Sequence, residues 1–180
     1  MRVIAGRLGG RRLKAPPGRT TRPTADRVRE ALFSMLGELD GERVLDLFAG
    51  SGALGIEALS RGAAQAVFVE RDPAVARVLH ENLASLGLGP ETAEVRVADA
   101  RAALRAASDR KEKYDLLFID PPYRQAGRWG SALSTDLPAL LDQGARIVVE
   151  SDRRAPLELE LEIERSRRYG DTSITIHRQR

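Results

Sequence analysis

Residues 44–52, Val44-Leu45-Asp46-Leu47-Phe48-Ala49-Gly50-Ser51-Gly52, read as an apolar strand running straight into a glycine turn. Residues 44–48 form the strand, and a helix after the turn ends at Gly62. Gly50 and Gly52 permit a tight turn and let a ligand approach the backbone closely. Such a turn is a cofactor-binding device in open α/β sheets, and it serves nicotinamide dinucleotides as well as other cofactors.

Strands and helices alternate downstream. Residues 66–69 form a second strand, and Pro73, at a first helical position behind Asp72, opens a helix carrying Val75, Val78, Leu79, Leu83 and Leu86 and closing at Gly87. Residues 95–98 form a third strand, followed by the Ala-rich segment 100–107. Residues 116–119 are a continuous apolar run, as expected of a strand buried on both faces. A helical stretch covers residues 131–141 with a break near Pro138, and 147–149 is the next buried strand. The period then changes to two: residues 157–164 alternate Leu or Ile with Glu, Tyr169-Gly170-Asp171 turns the chain, and Ile174 and Ile176 alternate again.

Upstream, residues 2–5 and 11–14 read as two short strands joined by Gly6 and Gly9-Gly10. Pro16-Pro17-Gly18 breaks the chain, and Thr24 is the candidate cap of a helix with Asp26 in its first turn. Val28, Leu32, Met35, Leu36 and Leu39 give that helix its apolar face, and Asp40-Gly41 ends it. The whole pattern predicts a doubly wound, mostly parallel α/β sheet with an antiparallel C-terminal hairpin. It divides as a basic N-terminal extension, residues 1–21, and a main domain, residues 22–180.

Charge separates the same two parts. Residues 1–29 hold nine basic side chains against one acid, Asp26, whereas the remainder holds 20 basic against 25 acidic. A basic arm on a mildly acidic body suits a polyanionic partner, although a solvated tail would show the same composition. The 180-residue chain has no cysteine and only two histidines, His80 and His177, so disulfides, thiolate metal sites and a histidine metal site are not expected. No apolar run approaches the roughly 18 residues of a membrane span, and the first residues lack a signal-peptide apolar stretch, so a cytoplasmic protein is expected.

Ligands on doubly wound sheets sit outside the carboxyl ends of the strands. Four candidate groups lie there: Asp46 with residues 50–52, Glu70, Asp99, and Asp120-Pro121-Pro122-Tyr123. Glu70, about 20 residues after the glycine turn, suits the ribose hydroxyls of a nucleoside cofactor, or it is a charge at a helix start. Asp99 suits an adenine amine, or it caps the helix beginning at Ala100. Two prolines after a core strand remove two backbone donors and hold the chain extended. The segment therefore offers acceptors, the Asp120 carboxylate and the carbonyl of Pro121, beside the aromatic face of Tyr123. That set fits a planar base whose amine donates two hydrogen bonds while its ring stacks.

Residues 45–52 together with Asp120-Pro121-Pro122-Tyr123 resemble the class I amino-methyltransferases. M-R-V-I-A-G-R-L-G-G-R-R (residues 1–12), R-P-T-A-D-R-V-R-E-A-L-F (residues 22–33) and the terminal segment 169–176 resemble the bacterial ribosomal RNA small subunit methyltransferase D family. Phe48 stands where many methyltransferases have a first loop glycine, and Ser34 where family members commonly carry asparagine.

The resemblance implies a seven-stranded Rossmann-like methyltransferase domain that uses S-adenosyl-L-methionine, without metal, to methylate N2 of one guanine in 16S rRNA. Asp46, Phe48, Gly50, Ser51, Gly52, Glu70, Arg71, Asp99 and Ala100 would then hold the cofactor, and Asp120, Pro121, Pro122 and Tyr123 the flipped-out base. Arg2, Arg7, Arg11, Arg12, Arg19 and Arg22 would grip phosphates of 16S rRNA or of a small-subunit assembly intermediate, the enzyme acting as a monomer without a membrane partner. Asp-Pro-Pro-Tyr selects an amine and not a particular base, so DNA adenine-N6 and protein-glutamine methylation stay open. A nicotinamide-dependent oxidoreductase would share the glycine turn but leave Asp120 and Tyr123 idle.

Overall fold

The computed structural model describes residues 1–16, 26–121 and 126–180. Thr24, and with it the expected cap of the first helix, lies outside the described residues. The elements in chain order are α1 (Asp26–Leu36), β1 (Arg43–Asp46), α2 (Ala53–Ser60), β2 (Gln65–Glu70), α3 (Pro73–Ser85), β3 (Ala93–Val97), α4 (Ala100–Asp109), β4 (Tyr114–Ile119), α5 (Ala126–Asp136), β5 (Leu141–Asp152), β6 (Glu162–Tyr169) and β7 (Thr172–Arg178). A 3-10 turn, Pro138–Leu140, joins α5 to β5. The strands form one seven-stranded sheet of order β3-β2-β1-β4-β5-β7-β6. β1 pairs in parallel with both β2 and β4, and β7 runs antiparallel between β5 and β6.

The apolar runs build this sheet because both of its faces are covered. On one face Val44, Phe68, Phe118, Val148, Ile174 and Ile176 meet α1, α2 and α3, through residues such as Leu32, Ile56 and Leu79. On the other, Leu45, Val67, Leu117 and Ile147 meet α4, α5 and the 3-10 turn, through Leu104, Leu133 and Leu140. A parallel strand buried on both faces has no polar side to display, which is why these stretches lack alternation. Among the described residues no helix is long and apolar enough to cross a membrane.

The N-terminal residues join the first of these cores. Arg2 and Arg12 form an antiparallel bridge, and Val3, Leu8 and Leu13 are buried against the body. Glu57 of α2, fully buried, accepts the N–H groups of Ile4 (2.7 Å) and Ala5 (3.1 Å). The Ser60 hydroxyl accepts from Leu8 N–H at 3.0 Å and donates to the carbonyl of Ala5. Gly6 has a positive φ of 79°, and a Cβ there would stand 1.9 Å from the Ser60 carbonyl oxygen. Only glycine allows the arm to lie this close to α2.

Several boundaries differ from the sequence expectation. α1 stops at Leu36 because Gly37, φ 74°, takes the left-handed conformation that ends helices. Leu39 is still buried, from the loop and not from the helix. α5 starts at Ala126, five residues ahead of the expected position, and Pro138 opens the 3-10 turn where a break was expected. β6 spans Glu162–Tyr169 and not residues 157–164. Leu157 and Leu159 are buried as their alternation requires, but against α5, where Glu160 N–H donates to the Ser134 hydroxyl at 3.0 Å. Period two marks an extended segment with one covered face, and a helix covers it here in place of a strand.

Candidate active site

The strand order reverses between β1 and β4, since β2 and β3 lie to one side and β5, β7 and β6 to the other. A crevice opens at such a switch point, outside the carboxyl ends of the strands. Asp46 ends β1, Glu70 ends β2, and Asp120 and Pro121 follow β4. Three of the four sequence-predicted groups therefore stand at the carboxyl ends of the adjacent strands β2, β1 and β4, with Asp99 one strand further out, after β3.

The glycine loop is tied down on both sides. Leu47 N–H donates to the Phe118 carbonyl at 3.0 Å, and Ala49 N–H to the Val69 carbonyl at 2.9 Å, so the loop spans the ends of β4 and β2. Gly52 begins α2 in the left-handed conformation (φ 85°), and a Cβ there would stand 2.4 Å from Leu79 Cδ1. Gly50 differs. Its φ is 55°, but the nearest atom to a Cβ would be the Phe48 carbonyl oxygen at 4.0 Å, so its approach is open. Phe48 meets Trp129 of α5 edge to face, centroids 5.2 Å apart, linking the loop to the helix that follows the Asp120 segment.

Glu70 is buried, and its carboxylate orders two turns at once. One oxygen accepts Gly50 N–H at 3.0 Å and the other Asp72 N–H at 2.9 Å. Each carboxylate oxygen keeps a second lone pair, so the group can still accept hydroxyls of a ribose. The neighbouring Arg71 is exposed. Asp99 forms the cap, accepting Arg101 N–H at 3.0 Å, with Ala100 buried behind it. An adenine amine would have to use the remaining acceptor capacity.

Asp46 accepts Gly55 N–H at 3.0 Å, yet burial, with the charge of Glu70 adding to it, pushes its carboxyl up to about 7. Asp120 is partly buried and is raised well above the ordinary carboxylate range. Desolvation is the main cause, and Glu150 and Asp46 add repulsion. Ile119 pairs with Val149, which places Glu150 on the strand next to Asp120. Three carboxyl groups thus lie at the ends of β1, β4 and β5. Pro122 and Tyr123 lie outside the described residues.

Four contributors escaped the sequence reading: Glu57, Asn82, Trp129 and Glu150. Glu150 had a visible signal, an acid directly after the apolar run 147–149, the pattern that singled out Asp46, Glu70 and Asp120. Asn82, 1% exposed, interrupts the apolar face of α3. Its amide donates to the Ser51 carbonyl (2.9 Å) and the Lys14 carbonyl (3.1 Å) and accepts Lys14 N–H (2.8 Å), joining the glycine loop to the arm.

The arm's arginines are divided. Arg2 pairs with Asp26 at 3.4 Å. Arg7 reaches the carbonyl of Leu59 at 3.4 Å and Arg11 that of Ser85 at 2.8 Å, so both meet the C-terminal turns of helices. Arg12 is exposed. Arg19 and Arg22 lie outside the described residues.

Sheet order and the acid-ended strands around a glycine loop define an α/β methyltransferase fold. A family model described as "Conserved hypothetical protein 95" matches residues 1–178. "Putative rRNA methyltransferase YlbH" of Bacillus subtilis (strain 168) is 42% identical over all of both chains. "Ribosomal RNA small subunit methyltransferase D" of Escherichia coli (strain K12) is 40% identical over 84% of this chain and 75% of its own. The solved structure titled "Putative methyltransferase yhhF from Escherichia coli" superposes with a TM-score of 0.81 at 36% identity, covering 99% and 97% of the two chains. The chain belongs to this family, which contains the ribosomal RNA small subunit methyltransferase D proteins and YlbH. An RNA methyltransferase from Salinibacter ruber, solved with S-adenosyl-L-homocysteine, shares the fold at 20% identity and a TM-score of 0.64, covering 87% and 92%.

Proposed function

We propose that this chain transfers a methyl group from S-adenosylmethionine to the N2 amine of a guanine in small-subunit ribosomal RNA, as a monomer in the cytoplasm. The observation that carries the reading is Asp120-Pro121 at the end of the buried strand β4, across the switch-point crevice from the glycine loop. The residues present fit the cofactor. Gly50 leaves the backbone open, Glu70 is oriented by two N–H groups with lone pairs to spare, and Asp46 is a buried acid beside them. Asp46 and residues 50–52 would hold the methionine part, Glu70 the ribose and Asp99 the adenine, with Phe48, Ser51, Arg71 and Ala100 flanking them.

The cofactor supplies an electrophilic methyl group and one positive charge. Next to a positive charge the raised carboxyls of Asp46 and Asp120 ionise more readily, and ionised Asp120 accepts one amine N–H. The Pro121 carbonyl accepts the other, and Tyr123 stacks on the base. Holding both N–H groups turns the nitrogen lone pair towards the methyl group, so catalysis is chiefly positioning. Asp120 or water takes the surplus proton. No cysteine is available to attack a ring carbon, so transfer needs no covalent intermediate.

Labelled methyl transfer to 16S rRNA, free and in 30S particles, followed by nucleoside analysis, tests this directly. N2-methylguanine is the expected product, with Asp120→Ala losing most turnover and Asp120→Asn less. Methylation of adenine N6 alone, or a fully active Asp120→Ala enzyme, would overturn it.

A further inference from the structure

The strand registers place a second group of arginines on the rim that carries the site. β5 runs parallel to β4, so Ser151 and Asp152 lie at the same end of the sheet as Asp120. Asp152 pairs with Thr172 and Tyr169 with Thr172, which brings the β6–β7 turn to that rim as well. Arg153 N–H donates to the Asp171 carbonyl at 2.8 Å and holds the turn after β5 against the turn of the hairpin. Residues 151–154 and 167–173 together carry four arginines, Arg153, Arg154, Arg167 and Arg168, against two acids, Asp152 and Asp171.

The distribution of ion pairs is uneven along the hairpin. At its far end Arg178 pairs with Glu164 at 2.7 Å and Arg180 pairs with Glu162. Among the described residues none of the four rim arginines has an ion pair, and all four are exposed. Asp152 is occupied with the backbone N–H of Arg154 at 2.7 Å. Arg153 and Arg168 also line one hollow of about 470 Å³ with the hydroxyls of Ser151, Ser166 and Ser173, a wall shared with Glu158 and with the apolar Leu157, Leu159 and Ile163. Guanidinium groups beside hydroxyls are the donors that a phosphodiester needs. The basic arm meets the glycine loop through Asn82 on the β1–β2 side, whereas the hairpin lies beyond β5.

We propose that this rim, centred on Arg153 and Arg168, is a second phosphate-binding surface that holds the RNA backbone on the side of the site opposite the arm. This rests on the reading of the chain as an RNA methyltransferase. A strand held on both flanks presents the base between them at Asp120, which one flank alone would not do. A single grip leaves the RNA free to pivot, and positioning is what the reaction depends on.

The test compares Arg153→Ala/Arg168→Ala, an arm variant Arg12→Ala and the far-end variant Arg180→Ala, by binding a 16S rRNA transcript over a salt series. Each lost phosphate contact lowers the slope of log affinity against log salt by about 0.7 for single strands and 0.9 for duplex. The double variant is expected to lose about 1.4–1.8, with the affinity for S-adenosylhomocysteine unchanged. Arg180→Ala is expected to keep the wild-type slope. A wild-type slope in the double variant overturns the second surface, and so does an equal loss in Arg180→Ala. If the wild-type protein itself binds the transcript without salt dependence, the RNA reading fails and not this placement alone.

Discussion

Asp46 is a carboxyl whose burial at the end of β1 costs the fold. Among the described residues its carboxyl accepts one hydrogen bond, from Gly55 N–H, and burial raises it from 3.8 to about 7. A raised carboxyl in the folded state holds its proton longer than in the unfolded chain. Its contribution to stability is therefore complete below about pH 4 and is lost as pH rises through about 7, to an upper bound of roughly 4 kcal/mol. Asp46→Asn, whose amide oxygen still accepts from Gly55, is expected to flatten this dependence. Urea denaturation at pH 5, 6.5 and 8 should show the variant gaining on the wild type as pH rises, and parallel curves would show that Asp46 is not the source. Glu70 supports the fold instead, because its two backbone bonds order the turns at Gly50 and Asp72. Glu70→Ala should weaken S-adenosylhomocysteine binding about tenfold or more, from charge-assisted bonds worth roughly 1.5–3 kcal/mol. Calorimetry that finds unchanged affinity in the folded variant would leave Glu70 with the loop alone.

Between elements, the arm and the body are held by polar groups that would be costly alone. Glu57 and Asn82 are buried in apolar helices, and the arm's backbone satisfies both. Without the arm Asn82 would be an unsatisfied buried group, at about 1–3 kcal/mol, and Glu57 would keep only its pair with Arg61 at 2.7 Å. Asn82→Ala orphans Lys14 N–H and the Ser51 carbonyl together, and is expected to cost at least about 2 kcal/mol. Asn82→Asp should fare no better, since a carboxylate would face the carbonyls of Ser51 and Lys14. Both losses should appear as a lower denaturant midpoint with an unchanged slope, and a neutral Asn82→Ala would mean that water replaces the amide. Removing the arm altogether takes Val3, Leu8 and Leu13 out of the core, so charge substitutions at Arg12 report on RNA more cleanly than truncation does.

Across the molecule, the sheet carries Asp46, Glu70 and Asp120 on one rim, and a ligand bound there would brace loops from both halves. S-adenosylhomocysteine at 100 times its dissociation constant adds about 2.7 kcal/mol of stability. For a chain of this size that corresponds to a rise of about 5–10 °C in Tm. NADH at the same concentration is expected to give none. A shift with NADH and none with S-adenosylhomocysteine would return the glycine loop to dinucleotide chemistry.

What the sequence determined by itself is the set of strand ends. An apolar run followed by an acid, a glycine or two prolines is a local pattern, and Asp46, Glu70, Asp99 and Asp120 could be placed from it because a parallel strand must bury both faces and stop where polarity begins. The family-specific stretches 1–12 and 22–33 were legible for the same local reason. The tertiary structure alone decided what those ends meet. Glu57 binds residues 52 and 53 positions away, and Asn82 binds one 68 positions away. Spacing along the chain carries no trace of such contacts. The exchange of a ladder for a helix under residues 157–161, and the gathering of Arg153 and Arg168 beside one another, follow equally from how the sheet closes. Periodicity states that a face is covered, and only packing settles by what.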